Sequence, residues 1–318
     1  MEYINCNICG IDDAQFLFSK KDKFRISKED FNVVRCKNCG LIYINPRPTE
    51  EEIVRFYPET YSWKETLRTG PFFTKIIRRL EKRYRYQLLN YEVNKVLTYT
   101  GLKSGKVLDI GCGAGDRLEV FRRKGFDTYG VEISSAAGHA KEHLKLNVVE
   151  GDLFKAQYPS DFFDVITMHN VLEHVHSPRK LLQEINKVLK AKGYLIVQVP
   201  NIDSIQYRIF GKQWAAFDVP RDLSYFKPSL VTRLLENEGF QVLLVDHTSS
   251  WWHPPTFTLS LFPGLDPQFF WQKSHPLWKT TCARILWALV TVTIAPVFTF
   301  LERIIKRSAI VTVYARKR

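Results

Sequence analysis

The sequence predicts an α/β fold built on a doubly wound, Rossmann-like, mostly parallel sheet of seven strands. Across residues 101–318, short apolar runs that suit buried strands alternate with amphipathic helical stretches. This order is typical of a parallel sheet with helices on both faces. The first strand runs into a glycine-rich turn, and the second ends in an acid. Nucleotide-binding domains of this kind share a turn and an acid in these two places.

Each predicted element rests on the period of its apolar residues. The strands are expected at 106–110, 127–132, 146–150, 163–168, 193–199, 240–246 and 309–316. The helices are expected at 116–124, 134–144, 178–190 and 228–238. Together they assign residues 101–318 to one domain.

The glycine turn after the first strand carries the strongest functional signal. Gly111, Gly113 and Gly115 let the backbone approach a bound nucleoside closely, because they have no Cβ. Their G-x-G-x-G spacing differs from the G-x-G-x-x-G of dinucleotide sites. Asp109 stands just before the turn, and an acid there suits a cationic ligand better than a phosphate. Glu132, at the end of the second strand, is placed to bind both ribose hydroxyls.

The run Val107–Gly115, followed by Glu132, resembles the first motif of class I S-adenosylmethionine-dependent methyltransferases. Later stretches at 151–153, 163–175 and 187–193 resemble further motifs of that family in the same order, so the resemblance covers roughly residues 100–250. It implies an antiparallel last strand and S-adenosylmethionine as the methyl donor. The residues that it assigns to the donor are Asp109, Gly111, Gly113, Gly115, Glu132, Asp152, Leu153 and Met168.

Two CxxC-Gly pairs, Cys6 with Cys9 and Cys36 with Cys39, lie in the predicted N-terminal module at 1–60. Two such knuckles complete a tetrahedral sulfur shell, for which zinc is the expected ion. No histidine or carboxylate joins the set, so a closed, structural zinc site is expected. The arrangement resembles that of bacterial methyltransferases with an N-terminal four-cysteine zinc-binding module, which modify sugars, polysaccharides and other small metabolites.

A basic helical linker is predicted at 61–100, with its helix at 72–100. Apolar residues recur at helical spacing from Ile77 to Leu88, and six lysines and arginines crowd the other faces. Such a helix suits anionic lipid or RNA. A linker helix packed on the main domain through its apolar stripe fits the same pattern equally well.

An apolar insertion is predicted at about 252–305, before the last strand. Its uncharged run at 285–301 would span about 25 Å as a helix, less than the roughly 30 Å of a hydrocarbon core. The strands on both sides belong to one predicted sheet, which excludes a single membrane crossing. An interfacial helix or shallow hairpin on anionic lipid and a lid over the active site both remain open.

The acceptor side is predicted from Asp218 to Tyr225. Sugar-modifying relatives often place a histidine where this chain has Asp222, so Asp222 is the candidate base, with Tyr225 as its neighbour. The alternative is that Asp222 only pairs with Arg221. His169, at the end of the fourth strand, completes the catalytic candidates. Glu173-His174 resembles a metal-binding pair of quinone-precursor O-methyltransferases, but Asn170 replaces the family's additional acid, and no second metal is predicted.

Composition bounds the function. The net charge of +13 favours an anionic partner, and the start of the chain has no pattern of a secretory signal, which predicts a cytoplasmic protein, peripheral to the membrane at most. The sequence lacks the Asn/Asp-Pro-Pro-aromatic motif of methyltransferases that act on the amino groups of nucleobases. The leading hypothesis is methyl transfer to a hydroxyl of a saccharide, lipid-linked envelope intermediate or other small metabolite. The alternatives are an RNA methyltransferase and a non-catalytic, donor-binding scaffold.

Overall fold

The computed structural model describes residues 1–57, 72–248, 253–263, 285–287 and 289–318. The predicted linker before residue 72 lies outside the described residues. So do Trp251 and Trp252 and the centre of the insertion, with the aromatic run at 269–271 and Cys282.

The main sheet confirms the predicted fold class. Its seven strands are β4 (Lys106–Ile110), β5 (Asp127–Glu132), β6 (Asn147–Glu150), β7 (Phe163–His169), β8 (Leu189–Pro200), β10 (Phe240–Asp246) and β11 (Ile310–Lys317). Their order across the sheet is β10-β11-β8-β7-β4-β5-β6. The five neighbouring strands from β8 to β6 are parallel, and β11 runs antiparallel to both β8 and β10, as the resemblance implied. Strand order reverses between β4 and β7, the point at which such sheets bind ligands.

Helices cover both faces of this sheet. The helices of the domain are α3 (Asp116–Arg123), α4 (Ala136–Glu142), α5 (Leu153–Ala156), α6 (Pro178–Val188), α7 (Ile205–Phe210) and α8 (Pro228–Asn237). Successive strand residues face opposite sides, so Leu108 and Ile166 pack with α6 and α8, whereas Val107 and Val165 pack with α3. The predicted helices at 116–124, 134–144, 178–190 and 228–238 are therefore confirmed within a few residues.

One strand differs from its prediction. β8 begins at Leu189, four residues before the expected start at residue 193. Its pairing with β7 changes register between Phe163 and Val165. Lys192 has a positive φ of 62°, an uncommon conformation for a side-chain-bearing residue. The backbone turn at Lys192 lies in the part of β8 where the register changes. The sequence pattern predicted the first residues of this strand as the end of the preceding helix.

The N-terminal residues form a second sheet of four strands. Its order is β1 (Ala14–Lys21), β2 (Asp30–Cys36), β3 (Ile42–Ile44) and β9 (Ser224–Tyr225), with α1 (Glu50–Ile53) after β3. Phe16 and Phe18 lie in β1, and Val33 and Val34 lie in β2. The fourth strand, β9, was not predicted, and it comes from the chain between β8 and β10 and pairs antiparallel with β3. One buried cluster joins Ile42 and Ile44 to Trp214, Phe217 and Tyr225.

The long helix α2 (Phe72–Thr100) packs on the main domain through its C-terminal half. Val93 and Val96 are buried against α3 and the sheet. Tyr84, on the expected apolar stripe, is 58% exposed. The buried face of α2 is therefore formed by the turns that lie over the sheet. The contacts of its C-terminal half agree with the hypothesis of a linker helix packed on the main domain.

The insertion is helical at both described ends, as α9 (His253–Leu261) and α10 (Ile294–Ile304). Phe257 of α9 stacks on Phe298 of α10, with ring centroids 4.4 Å apart. Residues 285–304 include enough apolar positions to pass as a membrane-spanning helix by length and composition, and 24% of that stretch is buried. Since β10 and β11 are paired neighbours, the chain leaves and re-enters the same sheet, and one crossing between them is excluded.

Candidate functional site

The glycine turn forms an open cradle at the end of β4. A Cβ on Gly111 would lie 2.5 Å from a Val171 methyl carbon, and one on Gly115 would lie 2.5 Å from a Leu146 methyl carbon. Both glycines also have positive φ, so a side chain at either position would be strained and would displace its neighbour. Gly113 has a φ of +55° and nothing within 4 Å of its Cβ position. The space beside Gly113 is thus free of described protein atoms, as a nucleoside site requires.

Glu132 is fixed to this turn from the end of β5. Its Oε2 accepts a hydrogen bond from the Gly113 amide at 2.8 Å, and its Oε1 accepts one from the Ser134 amide at 2.8 Å. Each carboxylate oxygen has a second acceptor site. The two oxygens can therefore hold the turn and still accept hydrogen bonds from two ribose hydroxyls.

Asp109 lies buried below the cradle, 1% exposed. Its Oδ1 accepts a hydrogen bond from the Thr167 hydroxyl at 2.6 Å, and its Oδ2 has no hydrogen-bond partner among the described residues. Burial raises the pKa of Asp109, and the Arg117 guanidinium opposes that rise. A buried carboxylate oxygen without a donor is costly, so this atom fits a cationic group of a ligand.

The remaining predicted donor residues line the same edge of the sheet. Asp152 caps α5 by accepting from the Lys155 amide at 2.8 Å, and Leu153 follows it, fully buried. Met168 is fully buried in β7, and His169 ends that strand. Burial and the nearby Arg117 charge hold the pKa of His169 well below 6.5, so its ring is neutral. These residues lie along the edge of the sheet at which the sequence resemblance places the methyl donor.

On the predicted acceptor side, the side chains of His174 and Asp222, which belong to two different loops, are in contact. His174 belongs to a short 3₁₀ helix at Leu172–His174 that follows β7. Its Nδ1 lies 3.0 Å from the Arg221 carbonyl oxygen and 3.2 Å from Asp222 Oδ1. The Leu223 amide also donates to the Glu173 carbonyl at 2.8 Å. The two loops are therefore held together by backbone and side-chain contacts.

Arg221 anchors this loop to the N-terminal sheet. Its guanidinium is fully buried and forms ion pairs with Asp22 at 2.9 Å and Asp218 at 2.6 Å. It also donates to the Phe56 carbonyl at 2.8 Å. Burial raises the pKa of Asp218, but the hydrogen bonds and charge of Arg221 outweigh burial and lower it overall. Arg221 is therefore a fixed structural cation between the two parts of the chain.

Asp222 is 4% exposed and accepts from the Asp218 amide at 3.2 Å. Burial, followed by the negative charge of Asp218, raises its pKa well above 3.8. Tyr225 is 1% exposed, and its hydroxyl has no hydrogen-bond partner among the described residues. Burial and the charge of Asp222 raise the pKa of Tyr225. The structure thus brings Asp222 and Tyr225 to one site, together with His174.

Glu173 makes the stability of the fold dependent on pH. Burial raises its pKa from 4.5 to about 8, so between these values the folded protein holds a proton that the unfolded chain has released. Since the unfolded state binds fewer protons, the free energy of unfolding falls as the pH rises, by at most about 1.4 kcal/mol per pH unit from this group. We expect urea denaturation of Glu173→Gln between about pH 5 and pH 8 to show a flatter pH dependence than the wild type. Parallel profiles would contradict this.

The four N-terminal cysteines converge. The Sγ atoms of Cys6 and Cys39 are 3.5 Å apart, as are those of Cys9 and Cys36, and all four lie within 4.8 Å of one another. Four sulfurs at about 2.3 Å from a tetrahedral zinc ion would be about 3.8 Å apart. The predicted cluster is therefore present, and its spacing fits zinc.

A family model described as a methyltransferase domain matches residues 81–245, more than half of the chain. The chain belongs to the S-adenosylmethionine-dependent methyltransferases. The methyltransferase match begins after the cysteine cluster, so that cluster lies outside the matched residues.

Several methyltransferases are similar to this one. A ubiquinone biosynthesis O-methyltransferase of Coxiella burnetii is 28% identical over 165 residues, covering 48% of this chain and 70% of that protein. Its counterpart in Aliivibrio fischeri is 28% identical over 194 residues, covering 57% and 81%. A solved methyltransferase structure from Galdieria sulphuraria covers 72% of this chain and 84% of that one, with a TM-score of 0.50 and 15% identity. That last similarity concerns the fold alone.

The sequence assigns no role to two residues that lie beside the candidate site. His174 is not among the candidate bases, because its partner, the Arg221 carbonyl, lies 47 residues further along the chain. Arg117 carried no signal, because an arginine in the first turn of a helix is usually solvated. Its side chain is 16% exposed and contacts Glu92.

Proposed function

We propose that this methyltransferase transfers a methyl group to a hydroxyl oxygen of a small molecule, and that His174 takes the hydroxyl proton. The observation that carries the proposal is the position of the His174 ring, whose Nδ1 lies against the Arg221 carbonyl and Asp222. The names of the two O-methyltransferase relatives support an oxygen acceptor.

The contacts of His174 support one tautomer. A carbonyl oxygen only accepts hydrogen bonds, so the Nδ1 that faces Arg221 carries the hydrogen. The neutral ring then has its lone pair on Nε2, which is the form a general base needs. Asp222 Oδ1, at 3.2 Å, faces the same Nδ1–H and stabilises the charged ring once a proton has arrived.

Asp222, first expected to be the base, has the role of a positioning residue in this proposal. It is buried, and its oxygens face His174 and the Asp218 amide. Tyr225 would orient the acceptor through its buried hydroxyl, and His169 would border the donor from the end of β7. A neutral His169 avoids placing a second positive charge next to a sulfonium.

On the donor side, Asp109, Glu132 and the turn from Gly111 to Gly115 would hold S-adenosylmethionine, with Asp152, Leu153 and Met168 on its adenine and sulfonium sides. The bound donor supplies an electrophilic methyl group on sulfur. The chain's contribution is to hold the two reactants in line and to exclude water, which accounts for much of the rate of such displacements.

For the acceptor, we propose a saccharide or a lipid-linked saccharide. Asp222, Glu173 and the Tyr225 hydroxyl lie close enough to affect one another's pKa, and carboxyl groups and hydroxyls suit a ligand with several hydroxyl groups. A lipid-linked form is favoured by α10, on which Ile294, Val297 and Leu301 are each more than 50% exposed. An apolar helix face with basic residues near its end suits the inner surface of an anionic membrane. In this proposal, the cysteine cluster holds a structural zinc ion.

The test is to incubate the purified protein with S-adenosylmethionine labelled with ¹³C in its methyl group. Three acceptor fractions are compared: soluble metabolites and nucleotide sugars, a lipid extract, and RNA. We expect label in the first or second fraction, with the carbon shift of an O-methyl ether. Label on nitrogen or carbon would overturn the hydroxyl assignment, and label in RNA would establish the alternative substrate class. Absence of transfer to all three, with donor binding intact, would support the scaffold hypothesis.

A further inference from the structure

A cavity of about 320 Å³ lies between the N-terminal module and the start of α6. We term it the basic cavity, because the charged or titratable residues that line it are Arg47, His176, Arg179 and Lys180. Among the described residues, no acidic side chain belongs to its wall. Its volume falls within the roughly 300–1,000 Å³ that is usual for ligand sites. The basic cavity is therefore large enough for a small anionic group.

Arg47 is held in the wall of the basic cavity by two contacts. Its side chain is 9% exposed. Its Nε donates to Glu2 Oε1 at 2.7 Å, and its Nη1 donates to the His176 carbonyl at 2.9 Å. A guanidinium has five N–H donors, and these contacts use two of them. Because the cation is already fixed by its neighbours, it would lose little conformational entropy when it binds an anion.

The start of α6 adds two cations in a position that is unfavourable without an anion. Arg179 and Lys180 lie in the first turn of this helix, which contains no acid, and Ser177 caps it without a side-chain hydrogen bond. The N-terminus of a helix carries partial positive charge, so it repels cations in the first turn. Arg179 Nε pairs with Glu238 at 2.9 Å, whereas Lys180 is exposed. An anion in the basic cavity would offset this repulsion.

The basic cavity borders both loops of the proposed acceptor site. His176 lies two residues after His174, so their Cα atoms are at most about 7 Å apart. From the N-terminal module, Asn7 Nδ2 donates to the Ser224 hydroxyl at 3.4 Å, and Ser224 directly precedes Tyr225. A molecule with an anionic group in the basic cavity can therefore extend toward His174 and Tyr225.

We propose that the basic cavity binds the phosphate or diphosphate group of a phosphorylated saccharide, whose hydroxyl group is then methylated. The proposal rests on the proposed methyl transfer to a saccharide, and it names the second group by which that acceptor is held. Arginine binds phosphate oxygens in pairs through charge-assisted hydrogen bonds, and lysine adds a compact positive charge. Nucleoside diphosphate sugars and lipid-linked diphosphate sugars share this chemistry.

The first experiment measures the binding of inorganic diphosphate to the full chain by isothermal titration, without methyl donor. We expect saturable binding, which the double substitution Arg179→Gln, Lys180→Gln weakens at least about 10-fold, because each exchange removes a charge-assisted hydrogen bond. The matched control is Lys187→Gln in the same helix, where the lysine pairs with Glu184.

The control should retain the wild-type affinity for diphosphate. All three proteins should bind S-adenosylhomocysteine equally, which shows that the variants are folded. Equal affinity of the double variant and the wild type for diphosphate would overturn the proposal, as would the absence of saturable binding.

Three further ligands distinguish the sources of the phosphate group. Tighter binding of uridine diphosphate than of inorganic diphosphate would support a nucleotide sugar. Binding of the wild type, but not of the double variant, to phosphatidylcholine vesicles that contain a polyprenyl diphosphate would support a lipid-linked sugar. A short single-stranded RNA that displaces diphosphate at a lower concentration than uridine diphosphate does would overturn the saccharide assignment.

Steady-state kinetics separate this proposal from the proposed function. With an identified acceptor, the double variant should raise KM at least about 10-fold and leave kcat within about twofold, because the phosphate is held alike before and during methyl transfer. An unchanged KM would overturn the proposal. Failure of the proposed function would appear instead as an unchanged kcat in His174→Gln or as label on nitrogen or carbon, and neither result alters the binding of diphosphate.

Discussion

Replacing His174 by glutamine is expected to lower kcat for methyl transfer by about 10²- to 10⁴-fold, the usual contribution of a general base. Glutamine has no titratable nitrogen, but it approximates the size of imidazole and retains an N–H that can donate to the Arg221 carbonyl. The affinity for S-adenosylhomocysteine should remain within about twofold, because the donor cradle does not include His174. The measurements are initial rates with an identified acceptor and isothermal titration of the donor product.

Two further variants separate chemistry from structure at this position. His176→Gln is the control, since His176 lies nearby but bonds to the Pro48 carbonyl at 2.9 Å, outside the site. Asp222→Asn should reduce kcat less than His174→Gln does, because the Arg221 carbonyl still fixes the ring. The pH dependence of the Asp222→Asn rate should also change, since an amide does not stabilise the charged imidazolium as a carboxylate does. A His174→Gln enzyme with unchanged kcat would remove His174 from the mechanism.

Removal of zinc is expected to lower methyl transfer at least about tenfold while leaving donor binding largely intact. Cys36 ends β2 and Cys39 lies between β2 and β3, and β3 pairs with β9, which carries Tyr225. The loop with Asp222 is additionally tied to Asp22 through Arg221. Losing the metal would remove its binding free energy, which is large for structural zinc sites and stabilises the packing of these strands. The acceptor side would therefore loosen first.

The measurements use the full chain. Metal analysis should give about one zinc ion per chain, and Cys36→Ser or a strong chelator should remove it. We expect methyl transfer to fall at least about tenfold, S-adenosylhomocysteine affinity to change by less than about twofold, and added zinc to restore the chelated wild type. Equal loss of donor binding would mean that the cluster supports the whole domain. Full activity without zinc would show that the cluster is dispensable.

The geometry of the candidate donor site could be predicted because its determinants are local. The strand before Gly111, the turn and the helix after Gly115 are consecutive in sequence, so their pattern reveals their geometry. Glu132 follows from the next strand along the chain. The paired zinc ligands were predictable for the same reason, since each CxxC knuckle is a local turn.

The acceptor side depends on contacts between distant residues, which no periodic pattern records. The proposed role of His174 rests on its contacts with Arg221 and Asp222. β9 is a two-residue strand with no alternation to detect. Helix α2 shows a related difficulty: its apolar stripe through Tyr84 suggested one packed face, but burial is decided by which turns lie over the sheet, and these are near Val93 and Val96. Hypotheses about the acceptor from sequence were correspondingly weaker than those about the donor.

The pairing of β3 with β9 also has a consequence for synthesis of the chain. Ile42 and Tyr225 are partners in this pairing although about 180 positions separate them. During translation the cysteines emerge first, whereas the strand that completes their sheet emerges only after most of the main sheet has been made. Contacts of such long range form late, because closing a long loop is entropically unfavourable. A chimera that exchanges the first 57 residues with a relative should therefore fold well only if the segment around 218–226 is exchanged with them.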